Sequence, residues 1–165
     1  MSAPKRIAVL VSGGGTNLQA LIDAQNRGEI VNGEIATVIS SAEGAFALER
    51  AAKAGIPGYV MARKSFDSNR AMTMALVEKL KELNIDLVVL AGFMVILTEE
   101  MVQTYPNAIV NVHPALIPSF CGPGYYAGKY TLGKPMVLCK LNDAVSYTSA
   151  NRSEITGVGF QLHIG

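Results

Sequence analysis

Ile7-Ala8-Val9-Leu10-Val11-Ser12-Gly13-Gly14-Gly15-Thr16-Asn17-Leu18 passes from an apolar, β-branched run through three glycines into a helix-forming pattern. Such a run of five residues reads as a strand buried on both faces, and glycines between strand and helix mark a tight βα turn. The same alternation recurs downstream. Strands are predicted over residues 7–11, 34–39, 57–61, 86–90 and 108–112, and helices over 16–26, 45–54, 68–83 and 98–104. Strand and helix in strict alternation predict an α/β fold, a doubly wound, mainly parallel sheet with helices on both faces. In the long third helix, Met72, Met74, Ala75, Leu76, Val77, Leu80 and Leu83 supply the apolar face, with Asp67 or Ser68 as N-cap.

A chain of 165 residues, half of them hydrophobic and 16% charged, is long enough for one sizeable core. Its net charge of +1 leaves no basic footprint for nucleic acid. The apolar run after Lys5 and Arg6 is too short to span a membrane and ends in glycines, so neither a signal peptide nor a membrane partner is expected. Cys121 and Cys139 match no metal spacing and are expected as free thiols in a reducing cytoplasm. An oligomeric state is not specified.

Doubly wound sheets bind ligands beyond the carboxyl ends of their strands. At the first such end, Gly13 to Gly15 permit close backbone approach, and the helix start offers free N–H groups and a favourable dipole. Thr16 or Asn17 can cap that helix and donate to a phosphate oxygen. Neither the dinucleotide fingerprint nor the lysine of a P-loop is present, so a single phosphate monoester fits better than a pyrophosphate. The competing reading is a tight turn without ligand. After the fourth strand, Gly92 allows a sharp turn, and Met94-Val95-Ile96-Leu97 form an apolar lip suited to a flat heteroaromatic ring, or simply core. After the fifth, Asn111-Val112-His113-Pro114-Ala115-Leu116-Ile117-Pro118 places an amide and an imidazole on one side of extended backbone. That pair suits polarising a carbonyl and delivering a proton; a capped strand end is the plainer alternative.

Together with Leu48-Glu49-Arg50-Ala51, Phe66-Asp67-Ser68 and Leu90-Ala91-Gly92-Phe93, these stretches resemble the phosphoribosylglycinamide formyltransferase family, in order and spacing, from about residue 5 to 126. The resemblance implies a formyltransferase-like, Rossmann-type fold. It also implies transfer of a formyl group from 10-formyltetrahydrofolate, as cosubstrate, to the amine of glycinamide ribonucleotide in purine biosynthesis. Both partners are small molecules and no metal is implied. In that reading Asn111 and His113 are catalytic, and Gly15, Thr16 and Asn17 hold the substrate. Asn69, Met94, Val95, Ile96, Leu97 and Asn111 meet the folate.

Three departures qualify the likeness. Val95 and Asn69 stand where many members carry basic residues, although Arg70 follows the latter. After Tyr126 the family pattern stops, dividing the chain into a formyltransferase-like domain, 1–126, and a divergent tail, 127–165. The tail lacks the family's Asp-x-Gly-Gly-Pro-like loop. Its single aspartate, Asp143, sits in ordinary turn composition, and His163 has no motif around it. One explanation is a shifted reading frame near codon 127, since residues 127–131 read from each codon's last base can encode Gly-Lys-Val-His. A naturally short form is the other. Either way the C-terminal strands are expected to be incomplete, the sheet edge open, and residues 146–159 loop-like. Activity impaired by the tail is the leading expectation. A noncatalytic nucleotide-phosphate-binding remnant and a formyltetrahydrofolate hydrolase relative are the alternatives.

Overall fold

The computed structural model describes residues 3–113, 137–140 and 162–163. Strands β1 (Lys5–Val11), β3 (Gly33–Ser40), β4 (Gly58–Val60), β5 (Leu87–Ala91), β6 (Ile109–His113) and β7 (Val137–Lys140) form one sheet in the order β4-β3-β1-β5-β6-β7. All pair in parallel except β7, which runs antiparallel to β6. A two-residue β2 (Ile30–Val31) pairs separately with β8 (Leu162–His163). Helices α1 (Thr16–Asn26), α2 (Phe46–Lys53), α3 (Asn69–Glu82) and α4 (Glu99–Thr104) connect the strands. None of the described helices is long and apolar enough to cross a membrane.

The winding is legible in which residues face which helices. Alternate side chains of a strand point to opposite faces. Accordingly Ile7, Val9 and Val11 pack with Leu18, Leu21 and Ile22 of α1 and with Ala47 and Ala51 of α2. Ala8 and Leu10 pack instead with Met72, Leu76 and Leu80 of α3 and with Met101 of α4. β5 divides likewise, Val89 and Ala91 to the first face, Val88 and Leu90 to the second. Both halves of the core are thus filled through the central strands, and each fully buried aliphatic side chain contributes about 1.5–3 kcal/mol.

Two details differ from the sequence expectation. Met74 is 52% exposed, and the polar Thr73 takes the inward position. Its burial is compensated: Thr73 Oγ1 donates to the Asn69 carbonyl at 2.7 Å and accepts from the Thr98 N–H at 3.2 Å. Ser68 caps α3 as expected, its side chain accepting from the Ala71 N–H. The second difference concerns the sheet edge. The open edge expected beyond β6 carries β7, in register from Val110 opposite Lys140 to His113 opposite Val137. Cys121, Asp143 and the loop expected over 146–159 lie outside the described residues.

The helix pattern yields a paired test on α3. Leu76→Ala should lower unfolding free energy by about 2–5 kcal/mol through cavity formation. Met74→Ala, two residues earlier, should change it by less than about 0.5 kcal/mol. Urea denaturation of both variants measures the contrast.

Candidate functional site

The sheet reverses its winding at β1. The chain moves outward from β1 through β3 to β4, then returns to lay β5 on the other side of β1. The loops after β1 and β5 therefore part from each other, and a cleft of about 490 Å³ opens between them. Its lining is Ser12, Gly13, Gly14, Gly15, Thr16 and Asn17 from the first loop and Ala91, Gly92 and Met94 from the second.

On the first loop, α1 begins without a side-chain cap. Gly15 occupies the N-cap position in the left-handed region, at φ 74°, and neither Thr16 nor Asn17 closes the helix start as the sequence suggested. Among the described residues, the N–H groups of Gly14, Gly15, Thr16 and Asn17 have no acceptor. Uncapped helix donors beside a glycine turn suit an oxyanion of a ligand. The turn itself is fastened from behind. The Ala47 N–H donates to the Gly13 carbonyl at 3.1 Å, and a Cβ added to Gly15 would lie 2.6 Å from the Ala47 Cβ. Only glycine fits there.

Ser12 holds the two walls of the cleft together. The Met94 N–H donates to Ser12 Oγ at 2.8 Å, and Ser12 Oγ lies 2.5 Å from Ser41 Oγ, with either hydroxyl as donor. Ser12 Oγ has two acceptor lone pairs and one O–H, so after accepting from Met94 it can either donate to Ser41 or accept from it. Neither Ser12 nor Ser41 is among the site residues expected from the sequence. Their only signal was a hydroxyl at each of two strand ends destined to be neighbours.

The second loop divides its apolar residues. Val95 and Leu97 pack down on the α3–α4 side of the core, whereas Met94 and Ile96 stand 60% and 69% exposed. Of the lip proposed from sequence, only Met94 lines the cleft. The far end of the loop is anchored by the Thr98 N–H on Thr73 and by Thr98 Oγ1 donating to Glu100. That hydrogen bond, a backbone N–H and the Arg70 guanidinium at 2.5 Å hold the Glu100 carboxyl below its usual range. Arg70 is thereby engaged away from the cleft. Asn69 begins α3, and its Oδ1 accepts from Arg63 Nε at 2.5 Å. Asn69 is likewise not among the residues that line the cleft.

Asn111 lies in β6 opposite Leu90, one residue before the cleft-lining Ala91. It is half-buried and shares with Ile109 the face turned to α3 and α4. His113 ends the same strand two residues on. Its side chain lies outside the described residues. The structure thus gathers Gly15, Thr16, Asn17 and Met94 around one cleft. Asn111 stands beside it on the adjoining strand.

Residues 5–134 match the family model described as formyl transferase. The phosphoribosylglycinamide formyltransferase of Haemophilus influenzae is 47% identical over 122 residues, covering 74% of this chain and 57% of that protein. The Escherichia coli phosphoribosylglycinamide formyltransferase is 40% identical over 126 residues, covering 76% and 58%. Among solved structures, glycinamide ribonucleotide transformylase 1 from Symbiobacterium toebii superposes with a TM-score of 0.70 at 42% identity, over 74% of this chain and 57% of that one. The chain spans a little over half the length of these relatives.

The crowding behind Gly15 gives a direct test. Gly15→Ala, strained by positive φ and by contact with Ala47, should destabilise the fold by about 2 kcal/mol or more. Gly14→Ala, with open space around its Cβ, should stay within about 1 kcal/mol of the parent. Chemical denaturation of the two variants reads the difference.

Proposed function

This chain belongs to the formyl transferase family, and we propose that it binds glycinamide ribonucleotide and 10-formyltetrahydrofolate for formyl transfer between them. The observation that carries this reading is the set of donors at the start of α1, unpaired among the described residues and facing across the cleft to the loop after β5. The phosphate monoester sits on the N–H groups of Gly15, Thr16 and Asn17. The folate lies along Met94, Val95, Ile96 and Leu97, with Met94 and Ile96 supplying exposed apolar contact and Val95 and Leu97 fixing the loop beneath. Asn69, at the start of α3 and bonded to Arg63, is the further residue assigned to the folate. Residues 1–126 carry these elements, and 127–165 form the divergent tail.

The chemistry asks little covalent work of the protein. The substrate's neutral amine attacks the formyl carbon, and negative charge develops on the formyl oxygen. The Asn111 amide donates to that oxygen. Protonated His113 stabilises the same charge and passes its proton to the departing folate nitrogen, while the attacking nitrogen, cationic once its new C–N bond forms, releases a proton to solvent as the intermediate collapses to the neutral formamide. Holding two substrates in reacting geometry supplies much of the remaining acceleration.

The tail bears on rate more than on binding. The resemblance gives the catalytic histidine a carboxylate partner on the Asp-x-Gly-Gly-Pro-like loop, which the sequence of the tail lacks, and such an opposite charge would favour the imidazolium of His113. Residues 135–165 also lie beyond the family match. Nucleotide binding is therefore expected to outlast efficient turnover. Calorimetry with each substrate separates the readings: binding of both supports the transferase, and nucleotide without folate supports a noncatalytic binding module.

Single-turnover formyl transfer tests the roles. Asn111→Ala should slow transfer about 10²–10³-fold, the usual effect of losing one oxyanion donor. Nucleotide affinity should hardly change, and His113→Ala should be at least as slow. Transfer at the parental rate in either variant contradicts the assignment.

A further inference from the structure

Leu48-Glu49-Arg50-Ala51 is part of the sequence likeness, yet none of its residues lines the cleft. Arg50 nevertheless reaches the glycine turn from α2. Its Nε donates to the Gly14 carbonyl at 2.8 Å and its Nη1 to Gln19 Oε1 at 3.3 Å. The guanidinium also stacks 4.9 Å from the Phe46 ring centroid, which limits its freedom. With Ala47 bonded to the Gly13 carbonyl, both carbonyls of the turn face α2.

A planar trans peptide points its C=O and N–H to opposite sides. The N–H groups of Gly14 and Gly15 must then face away from α2. The strand before α2 is β3, and β3 and β5 flank β1 on opposite sides. Away from α2 is thus towards β5 and the cleft wall of Ala91, Gly92 and Met94. Arg50 and Ala47 set this direction from outside the cleft.

We infer that Arg50 is a positioning residue for an anion site. It locks the Gly14–Gly15 peptide with its N–H turned into the cleft and stands behind that peptide as a cation. This rests on reading the glycine turn as the phosphate site. Since the side chain is only half-buried, solvent screens its charge, and the fixed peptide orientation carries the larger share. Lysine at this position keeps the charge but not the planar fork that spans Gly14 and Gln19.

Amide-resolved NMR titration with glycinamide ribonucleotide tests the inference in the parent chain and in Arg50→Gln. In the parent, the Gly14, Gly15, Thr16 and Asn17 amides should shift together. In Arg50→Gln the nucleotide should bind about 10- to 100-fold more weakly, as expected for losing a charged hydrogen bond. The Gly14 and Gly15 shifts should shrink while those of Thr16 and Asn17 persist, a pattern general loosening would not give. Arg50→Lys should fall between the two. Parental affinity and parental Gly15 shifts in Arg50→Gln would overturn the role of Arg50 and leave the phosphate site standing. No shift at any of the four amides in the parent would overturn both. If Arg50→Gln does not fold, the parent still decides: the Arg50 Nε–H must move with Gly15, and a Gly15 shift without it overturns the inference.

Discussion

Parallel strands deliver all their following loops to one edge of the sheet, and where winding reverses, two of those loops turn apart. Here the reversal falls between β1 and β5, which pair directly from Ile7 opposite Leu87 to Leu10 opposite Leu90. That pairing, buried on both faces, fixes the distance between the glycine turn and the loop after β5. Every proposed contact with a ligand depends on it. A slip of one residue would exchange the two faces of β1 and empty both halves of the core.

The cleft edge is held by a few polar bonds rather than by packing. Ser12 joins the β1 and β5 loops and reaches Ser41 beyond β3, so three strand ends share one hydroxyl network. Arg50 and Ala47 hold the glycine carbonyls. Each such bond contributes about 0.5–1.5 kcal/mol, small beside core burial. Their effect is directional. Carbonyls are consumed by the protein, and the opposing N–H groups are left for a ligand.

Much of this was legible in the chain. The run 7–18 gave its strand, turn and helix almost to the residue, because burial on both faces and consecutive glycines leave few alternatives. Ser68 as cap was legible for a similarly local reason. What was not legible depended on distant neighbours. Thr73 is buried because Thr98, from another element, supplies a donor to satisfy it. Met94 and Ile96 point outward while Val95 and Leu97 point in, a division set by where the loop lands on α3 and α4. Ser12 stood inside the glycine-rich stretch without being singled out, since its meaning lies in Ser41 and Met94. β7 could not be anticipated from a tail whose pattern departs from the rest.

The proposed phosphate site consists of the uncapped donors at the switch point, opposite the β5 loop. A crystal structure of the chain with glycinamide ribonucleotide tests it most directly. The phosphate is expected on the N–H groups of Gly15, Thr16 and Asn17, with the amine extending towards Asn111. A nucleotide bound elsewhere, or a phosphate that leaves those donors untouched, would contradict it.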